Sequence, residues 1–324
     1  MSVISVSIII PVYNGALLIE RCLKSVTKQL GNFKLEIILI DDGSTDESIS
    51  IAKVNFPDII VIQQKNQGPA AARNKGIEMA TGKYLAFLDA DDYWEPDFLK
   101  ETVIFLEKHD AVAVSVGQLH RIIGKEDTIM PLHIADNKYS TYEAWILEDF
   151  YDFWALHNHV CTGSVLMLTE IVKQSGGQRP ELRITEDLEF WAYLATFGKW
   201  GFIPKVLFVS DGGEVTKEQG WIEKNRKRWE SAPNMALWEQ RIIKNIPNEH
   251  LASFNKAKQP ILKNLTLSML YSNRIKEARK MIRENINVMA NDKISVLLKV
   301  CSISVVSWHL LAYFLLNREK NRKI

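Results

Sequence analysis

Short apolar runs and amphipathic stretches take turns along the first hundred residues. Val6–Pro11, Leu35–Ile40, Ile59–Gln63 and Tyr84–Leu88 are brief and mostly β-branched or aliphatic, the signature of buried strands. Between them, Ala16–Gln29 places Leu17, Ile19, Leu23 and Val26 at helical spacings. Thr45–Val54 predicts a second helix, with Ser44 and Glu47 at capping-box spacing. Pro69–Ala80 predicts a third, with Pro at its first position and Gly82 just past its end. Strand and helix in alternation predict an α/β fold, a Rossmann-like, mainly parallel sheet with helices on both faces.

The middle of the chain is less regular. A helix is expected near Pro96–His109, strands near Ala111–Gly117 and Gly163–Leu168, and a helix after Thr185. Beyond Gly220 the texture turns basic and aromatic ("WIEKNRKRWE"), and long helical patterns follow at Lys256–Tyr271 and Arg274–Asn285. The expected organisation is an α/β domain over 1–220, with halves at about 1–95 and 96–220, and a helical C-terminal region over 221–324.

Composition narrows the class. The 324 residues are 47% hydrophobic and 24% charged, as in a globular protein, and the net charge of +1 gives no electrostatic footprint for nucleic acid. Cys22, Cys161 and Cys301 lie far apart, at no zinc or disulfide spacing, which suits a reducing cytoplasm. The apolar start "MSVISVSIIIPVYNG" has no basic n-region or cleavage site and reads as a strand. Ile294–Leu316 is long and mostly apolar, interrupted by Lys299 and His309 and followed by Arg318, Lys320, Arg322 and Lys323. Three readings are open: an in-plane or groove-packed amphipathic helix, a buried core helix, and a span. The basic tail favours peripheral contact with an anionic membrane, on the inner face of the cytoplasmic membrane.

Candidate chemistry sits where the strands end. "PVYNG", "DDGSTD", "NQGPAAARNKG" and "DADD" follow the four strands in turn, and ligands of open α/β sheets bind outside the carboxyl ends of strands. Four polar clusters on one rim are stronger evidence than any one of them. In an extended segment Asp89 and Asp91 point to one side, making a hard-oxygen site for Mg²⁺ or Mn²⁺; Asp92 is assigned to the turn. Ser44, Asp46 and Gly43 have structural explanations, which leaves Asp41 either to accept from a pyrimidine N3–H or to stabilise its turn. Arg73, at a helix start among small alanines, suits a diphosphate, whereas Lys75 reads as an exposed helix charge. Glu186 and Asp187 fall in the first turn of a helix capped by Thr185, where they either complement the dipole or supply a general base. "GIEMATGKY" has the wrong spacing and ending for a P-loop. His157 and His159 are better read as loop or strand residues than as ligands.

The set "VSIIIPVYNG", "LEIILIDDGSTDES", "NQGPAAARNKGIEMATGKYLAFLDADD", "TGSVLML" and "TED" resembles the family-2 inverting nucleotide-sugar glycosyltransferases of the GT-A fold, over about residues 3–210. That resemblance implies that Pro11 and Tyr13 line the nucleobase pocket and Asp41 reads the base. It implies that Arg73 supports the nucleotide side, that Asp89 with Ala90 faces ribose and diphosphate, and that Asp91 holds Mn²⁺ or Mg²⁺ with Asp89. It makes Asp187 the base that deprotonates the acceptor, Glu186 its neighbour positioning acceptor or base, and Gly163 and Ser164 part of the acceptor side. The implied partners are a nucleotide-sugar, read as a UDP-sugar, and a growing surface glycan or lipid-linked glycan. Many family members carry a histidine or basic loop after the last strand. Here "VSDGGEVTKEQGW" has neither His nor Arg, and Lys217 is the candidate substitute. A sugar-1-phosphate nucleotidyltransferase would need a Gly-rich basic loop after the first strand, which "PVYNG" is not. A non-catalytic sugar-binding protein would be favoured by the loss of Asp91 or Asp187, and both are present.

Overall fold

β-branched side chains stiffen the chain into strands, and the first four runs assemble side by side. A computed structural model of the chain describes residues 3–121, 128–129, 143–157, 159–211 and 221–320. Two compact units form, Met1–Pro180 with Glu186–Val215, and Glu181–Thr185 with Thr216–Ile324.

The first unit alternates β1 (Ile4–Val12), α1 (Ile19–Thr27), β2 (Phe33–Asp41), α2 (Ser48–Asn55), β3 (Ile60–Gln63), α3 (Pro69–Met79) and β4 (Tyr84–Phe87). It continues with β5 (Tyr93–Trp94), α4 (Phe98–Lys108), β6 (Ala113–Arg121), β7 (Thr128–Ile129), β8 (Trp145–Ile146) and α5 (Phe150–Leu156). β9 (Val165–Leu168), α6 (Thr169–Gln174), α7 (Glu186–Leu194) and β10 (Trp200–Asp211) complete it. The strands lie in the order β3-β2-β1-β4-β9-β6-β10-β5. β1 pairs in parallel with both β2 and β4, β2 with β3, and β6 with β10. β9 runs antiparallel between β4 and β6. Its direction reverses the local pattern, yet it brings the residues before Val165 to the same edge at which β4 ends.

Chain order reverses at β1: β2 and β3 lie on one side and β4 on the other. That is a topological switch point, where the loops following the two neighbouring strands diverge and leave a crevice. The core beneath these strands is largely aliphatic. Ile8, Ile10, Leu39 and Leu88 have no exposed surface. α3 lies close against β1. A Cβ at Gly76 would stand 2.3 Å from an Ile9 methyl, so glycine sets this approach.

Two helix starts differ from expectation. Leu17 is 95% exposed and stays outside α1. α2 starts at Ser48, and no side chain caps it. The capping box expected at Ser44 and Glu47 does not form, because Ser44, Thr45 and Asp46 bond instead to the loop after β1.

The second unit is helical: α8 (Trp221–Trp229), α9 (Met235–Ile243), α10 (Leu251–Ala257), α11 (Gln259–Tyr271), α12 (Ile275–Glu284), α13 (Lys293–Ile303) and α14 (Val305–Lys320). Trp238 and Phe254 stack within its core, and Trp308 donates its indole N–H to the Ile275 carbonyl at 2.8 Å. Asp292 caps α13 by accepting from the Ile294 and Ser295 N–H groups. The long apolar run near the C-terminus is broken at Ser304, whose backbone is extended (φ −103°, ψ 137°). α14, with 16 residues, is about 24 Å long, short of a hydrocarbon core of about 30 Å. Among the described residues no helix is long and apolar enough to cross a membrane, which removes the spanning reading. Arg322 and Lys323 lie outside the described residues.

Candidate functional site

Hydrogen bonds stitch the loops after the parallel strands into one rim. Asn14, in the left-handed conformation (φ 52°), donates its N–H to Ser44 Oγ at 3.0 Å and accepts from the Thr45 N–H at 2.8 Å. The Ala16 N–H donates to Asp46 at 2.9 Å. These bonds join the loop after β1 to the loop after β2. Asp42 joins the second to the third: its buried carboxylate accepts from Gln64 Nε2, the Gln67 N–H and the Gly68 N–H, each at 2.8 Å. Charge-assisted bonds at a buried acceptor are worth more than neutral ones. Asp42→Asn turns one acceptor oxygen into a donor facing a donor. It is expected to cost about 2 kcal/mol, measured by urea unfolding.

Pro11 is buried beside this rim and Tyr13 is 55% exposed. Asp41 is almost fully buried. It accepts from the Ser44 N–H at 2.8 Å and from Gln63 Nε2 at 2.9 Å. Each oxygen has a structural partner and retains acceptor capacity.

The three acids after β4 separate. Asp89 is partly exposed and accepts from Arg73 Nη2 at 2.6 Å. Ala90 is buried between the acids. Asp91 reaches the surface of the rim. Desolvation and then repulsion from Asp89 hold its carboxyl above the usual range, against the opposing pull of Arg21, with a smaller repulsion from Asp211. Asp92 is buried and accepts from the Asp211 N–H at 3.0 Å, tying the turn to the end of β10. Burial, then Asp89 and Asp91, push its carboxyl up to about 8.

Arg73 is the hub. It projects from α3 with 5% of its surface exposed, and Nη1 donates to Gln178 Oε1 at 3.3 Å. Gln178 is itself fixed by two backbone bonds with the Asn74 amide, both at 2.8 Å. Desolvation opposes the Arg73 charge, but Asp89, then Asp187 and Glu186, more than restore it. The guanidinium therefore lies within the field of Asp89 and of the Glu186–Asp187 pair. α7 brings Glu186 and Asp187 here by packing Phe190 and Trp191 on Phe87 of β4, with ring centroids 6.0 and 6.3 Å apart. Glu186 is buried and Asp187 partly exposed. Thr185 does not act as the expected cap. Its φ is 62°, and its hydroxyl donates to the Ile184 carbonyl.

Gly163 has φ 93°, and a Cβ there would stand 2.3 Å from the Phe208 ring. Its carbonyl accepts from the Trp94 indole at 2.7 Å. Ser164 is fully buried. Its hydroxyl is engaged with the His159 and Cys161 carbonyls, so it shapes its turn and does not face solvent. His157 and His159 are buried too. Lys217 and the rest of the loop after β10 lie outside the described residues.

Sequence reasoning missed Arg21. From α1 it pairs with Asp211, donates to the Asp91 carbonyl, and lies over the Tyr93 ring at 4.9 Å. It also missed Gln178 and Asp211. Their partners are 105 and 190 positions away in the chain, and no local pattern marks them.

A divalent cation fits the acids at the switch point. Asp89 and Asp91 offer hard oxygens, Asp89 through the oxygen not engaged by Arg73. Among the described residues no cluster of three or more His, Cys, Asp or Glu is placed to hold a metal ion. Two carboxylates would leave the remaining positions to water and phosphate oxygens, as is usual for Mg²⁺.

Comparison with known proteins shows the family and the fold. Residues 7–173 match the family described as "Glycosyl transferase family 2". The chain is similar to the glycosyltransferase YibD of Escherichia coli, 45% identical over 112 residues, or 34% of this chain and 32% of that one. It is 28% identical over 211 residues to a glycosyltransferase of Haemophilus influenzae, 62% of this chain and 64% of that one. The chain spans about a third of YibD and 21% of a Rickettsia conorii glycosyltransferase. Among solved structures it resembles S. aureus TarS 1–349 (TM-score 0.62, 17% identity, 99% of this chain and 92% of that one). It also resembles a mannosyltransferase from Pyrobaculum calidifontis in complex with GDP-Man and Mn²⁺ (TM-score 0.55, 18% identity, 98% of this chain and 88% of that one). These likenesses identify the fold as that of GT-A transferases.

Proposed function

We propose, from the premise that this chain belongs to glycosyl transferase family 2, that it is an inverting enzyme moving a hexosyl or hexosaminyl group from a UDP-sugar to an acceptor hydroxyl. The acceptor class is a bacterial-type surface glycan or its lipid-linked precursor. One observation carries the reading: buried Arg73 is paired with Asp89 at 2.6 Å and lies in the field of Glu186 and Asp187 at the start of α7, so acids from the loop after β4 and from α7 share one cation.

In this reading Pro11 and Tyr13 flank the base and Asp41 accepts from it. Asp89, beside Ala90, faces ribose and diphosphate, while Arg73 fixes its orientation through their ion pair. Asp91 and Asp89 would hold Mn²⁺ or Mg²⁺, which when bound neutralises charge on the departing diphosphate as a Lewis acid. Asp187 takes the proton of the acceptor hydroxyl as its oxygen bonds to the anomeric carbon and the bond to diphosphate breaks. One displacement from the opposite face inverts that carbon and needs no covalent intermediate on the protein. Glu186 orients the acceptor or Asp187. Gly163 and Ser164 hold the turn that walls the acceptor side.

Donor identity is tested with a panel of UDP- and GDP-sugars, scoring nucleoside diphosphate release with Mn²⁺, with Mg²⁺ and with chelator. The expected result is release from a UDP-sugar that chelator abolishes, with a glycoside of inverted anomeric configuration by NMR. Retention of configuration, or pyrophosphate release from a nucleoside triphosphate and a sugar phosphate, would overturn the proposal.

A further inference from the structure

The last three helices of the second unit obey different rules. α12 is an ordinary surface helix. Ala278, Met281 and Ile282 face inward, and Lys276, Lys280 and Arg283 face water. α13 reverses this polarity. Its buried positions include Ser295 and Ser302, while Val296, Val300 and Ile303, at i, i+4 and i+7, are 42%, 59% and 71% exposed. α14 buries Trp308, Leu311 and Ala312 and leaves Val306, Leu310, Tyr313 and Phe314 between 61% and 70% exposed. Large apolar side chains left exposed in this number on two successive helices mark a surface made for contact.

Beside it lies a basic hollow of about 520 Å³. Lys276, Arg279, Lys280 and Arg283 line it against one carboxylate, Glu284, which is 3.7 Å from Lys280. Arg279 is fixed there by donating to the Ser302 and Ile303 carbonyls at 2.8 and 3.0 Å. A second hollow, of about 600 Å³, is apolar and runs along Ile275, Val306, Leu310 and Tyr313. The two share Val305 and His309. Four cations facing one anion at the border of an aliphatic and aromatic face match a surface with an anionic rim and an apolar interior.

We propose that α13 and α14 lie in the plane of an anionic phospholipid bilayer, with their apolar face among the acyl chains and the α12 cations against the headgroups. Apolar area at the membrane surface is buried at the boundary of headgroups and acyl chains, and each cation near an anionic leaflet adds to the attraction. A second copy of the chain is a poorer occupant. Two-fold pairing of this face sets its basic border against itself, and interface cores are depleted in lysine. The proposal goes beyond sugar transfer and stands independently of it.

The test is co-sedimentation of the full-length protein with phosphatidylcholine vesicles, with and without phosphatidylglycerol, in the absence of donor and metal. Binding is expected to the anionic vesicles, with weak binding to phosphatidylcholine alone and loss at high salt. Lys280→Glu with Arg283→Glu is expected to weaken it more than about tenfold. Leu310→Glu with Phe314→Glu is expected to abolish it, with the melting temperature of both double variants unchanged because every altered residue is exposed. Absent binding, equal binding to both vesicle types, or a stable dimer that the Leu310→Glu/Phe314→Glu pair dissociates would overturn the proposal. The salt dependence is read on the unaltered chain and needs no variant to fold.

Discussion

Asp187→Asn is expected to lower kcat by about 10²–10⁴-fold with little change in donor affinity. The side chain keeps its shape and loses its charge and its capacity to take a proton. Asp187 lies in the first turn of α7, a helix held against β4 by Phe190 and Trp191, and neither packing contact involves the carboxylate. Arg73 loses one source of favourable field but retains its 2.6 Å ion pair with Asp89, so the nucleotide side of the rim stays organised. The variant should therefore bind nucleotide-sugar and metal, release nucleoside diphosphate poorly, and melt near the wild-type temperature. The measurement is steady-state kinetics beside a donor-binding isotherm. A fall in donor affinity with unchanged kcat would assign Asp187 to binding. Unchanged kinetics would move the base to Glu186, which Glu186→Gln would then identify.

Much of this site was legible because its signals are local. Four β-branched runs, each followed by a polar cluster, specify parallel strands with one working edge, and the edge formed there. Asp89 and Asp91 stood out as acids two apart, but the expected extended segment is a turn, closed by the Asp92 N–H donating to the Asp89 carbonyl at 3.0 Å, so alternation along a strand does not set their directions. What escaped were relations between distant residues. Ser44 and Glu47 had capping-box spacing, but Asn14, 30 residues earlier, claims the Ser44 hydroxyl, and the helix starts at Ser48. Asp41 was singled out because its neighbours had local explanations; Asp42 proved to be the residue that joins two loops, through donors 22 to 26 positions away. The antiparallel direction of β9 left no trace in its hydrophobic period, since a buried strand reads alike both ways. The break at Ser304 was equally hidden. The carbonyls of Ser302 and Ile303 are taken by Arg279, 23 and 24 residues upstream, so α13 can end without the usual glycine.

Asp91→Asn separates function from stability in opposite directions. Asp91 is repelled by Asp89 and Asp211 and only partly compensated by Arg21. Removing its charge relieves that repulsion. The metal-free variant should thus be more stable than the parent, by about 0.5 kcal/mol for a rim charge, or on the order of 1–2 °C in Tm. With Mn²⁺ and UDP the order should reverse, because ligand that binds only the folded state raises the parent Tm by mass action and the variant has lost a ligating oxygen. Transfer should fall on the order of 10³-fold, since several kcal/mol of charge neutralisation at the diphosphate goes with the cation. Thermal melts of both proteins, with and without Mn²⁺ and UDP, decide the matter. A structural aspartate would lose stability in every condition and leave the Mn²⁺ shift intact. A metal ligand gains stability without the ion and loses the shift.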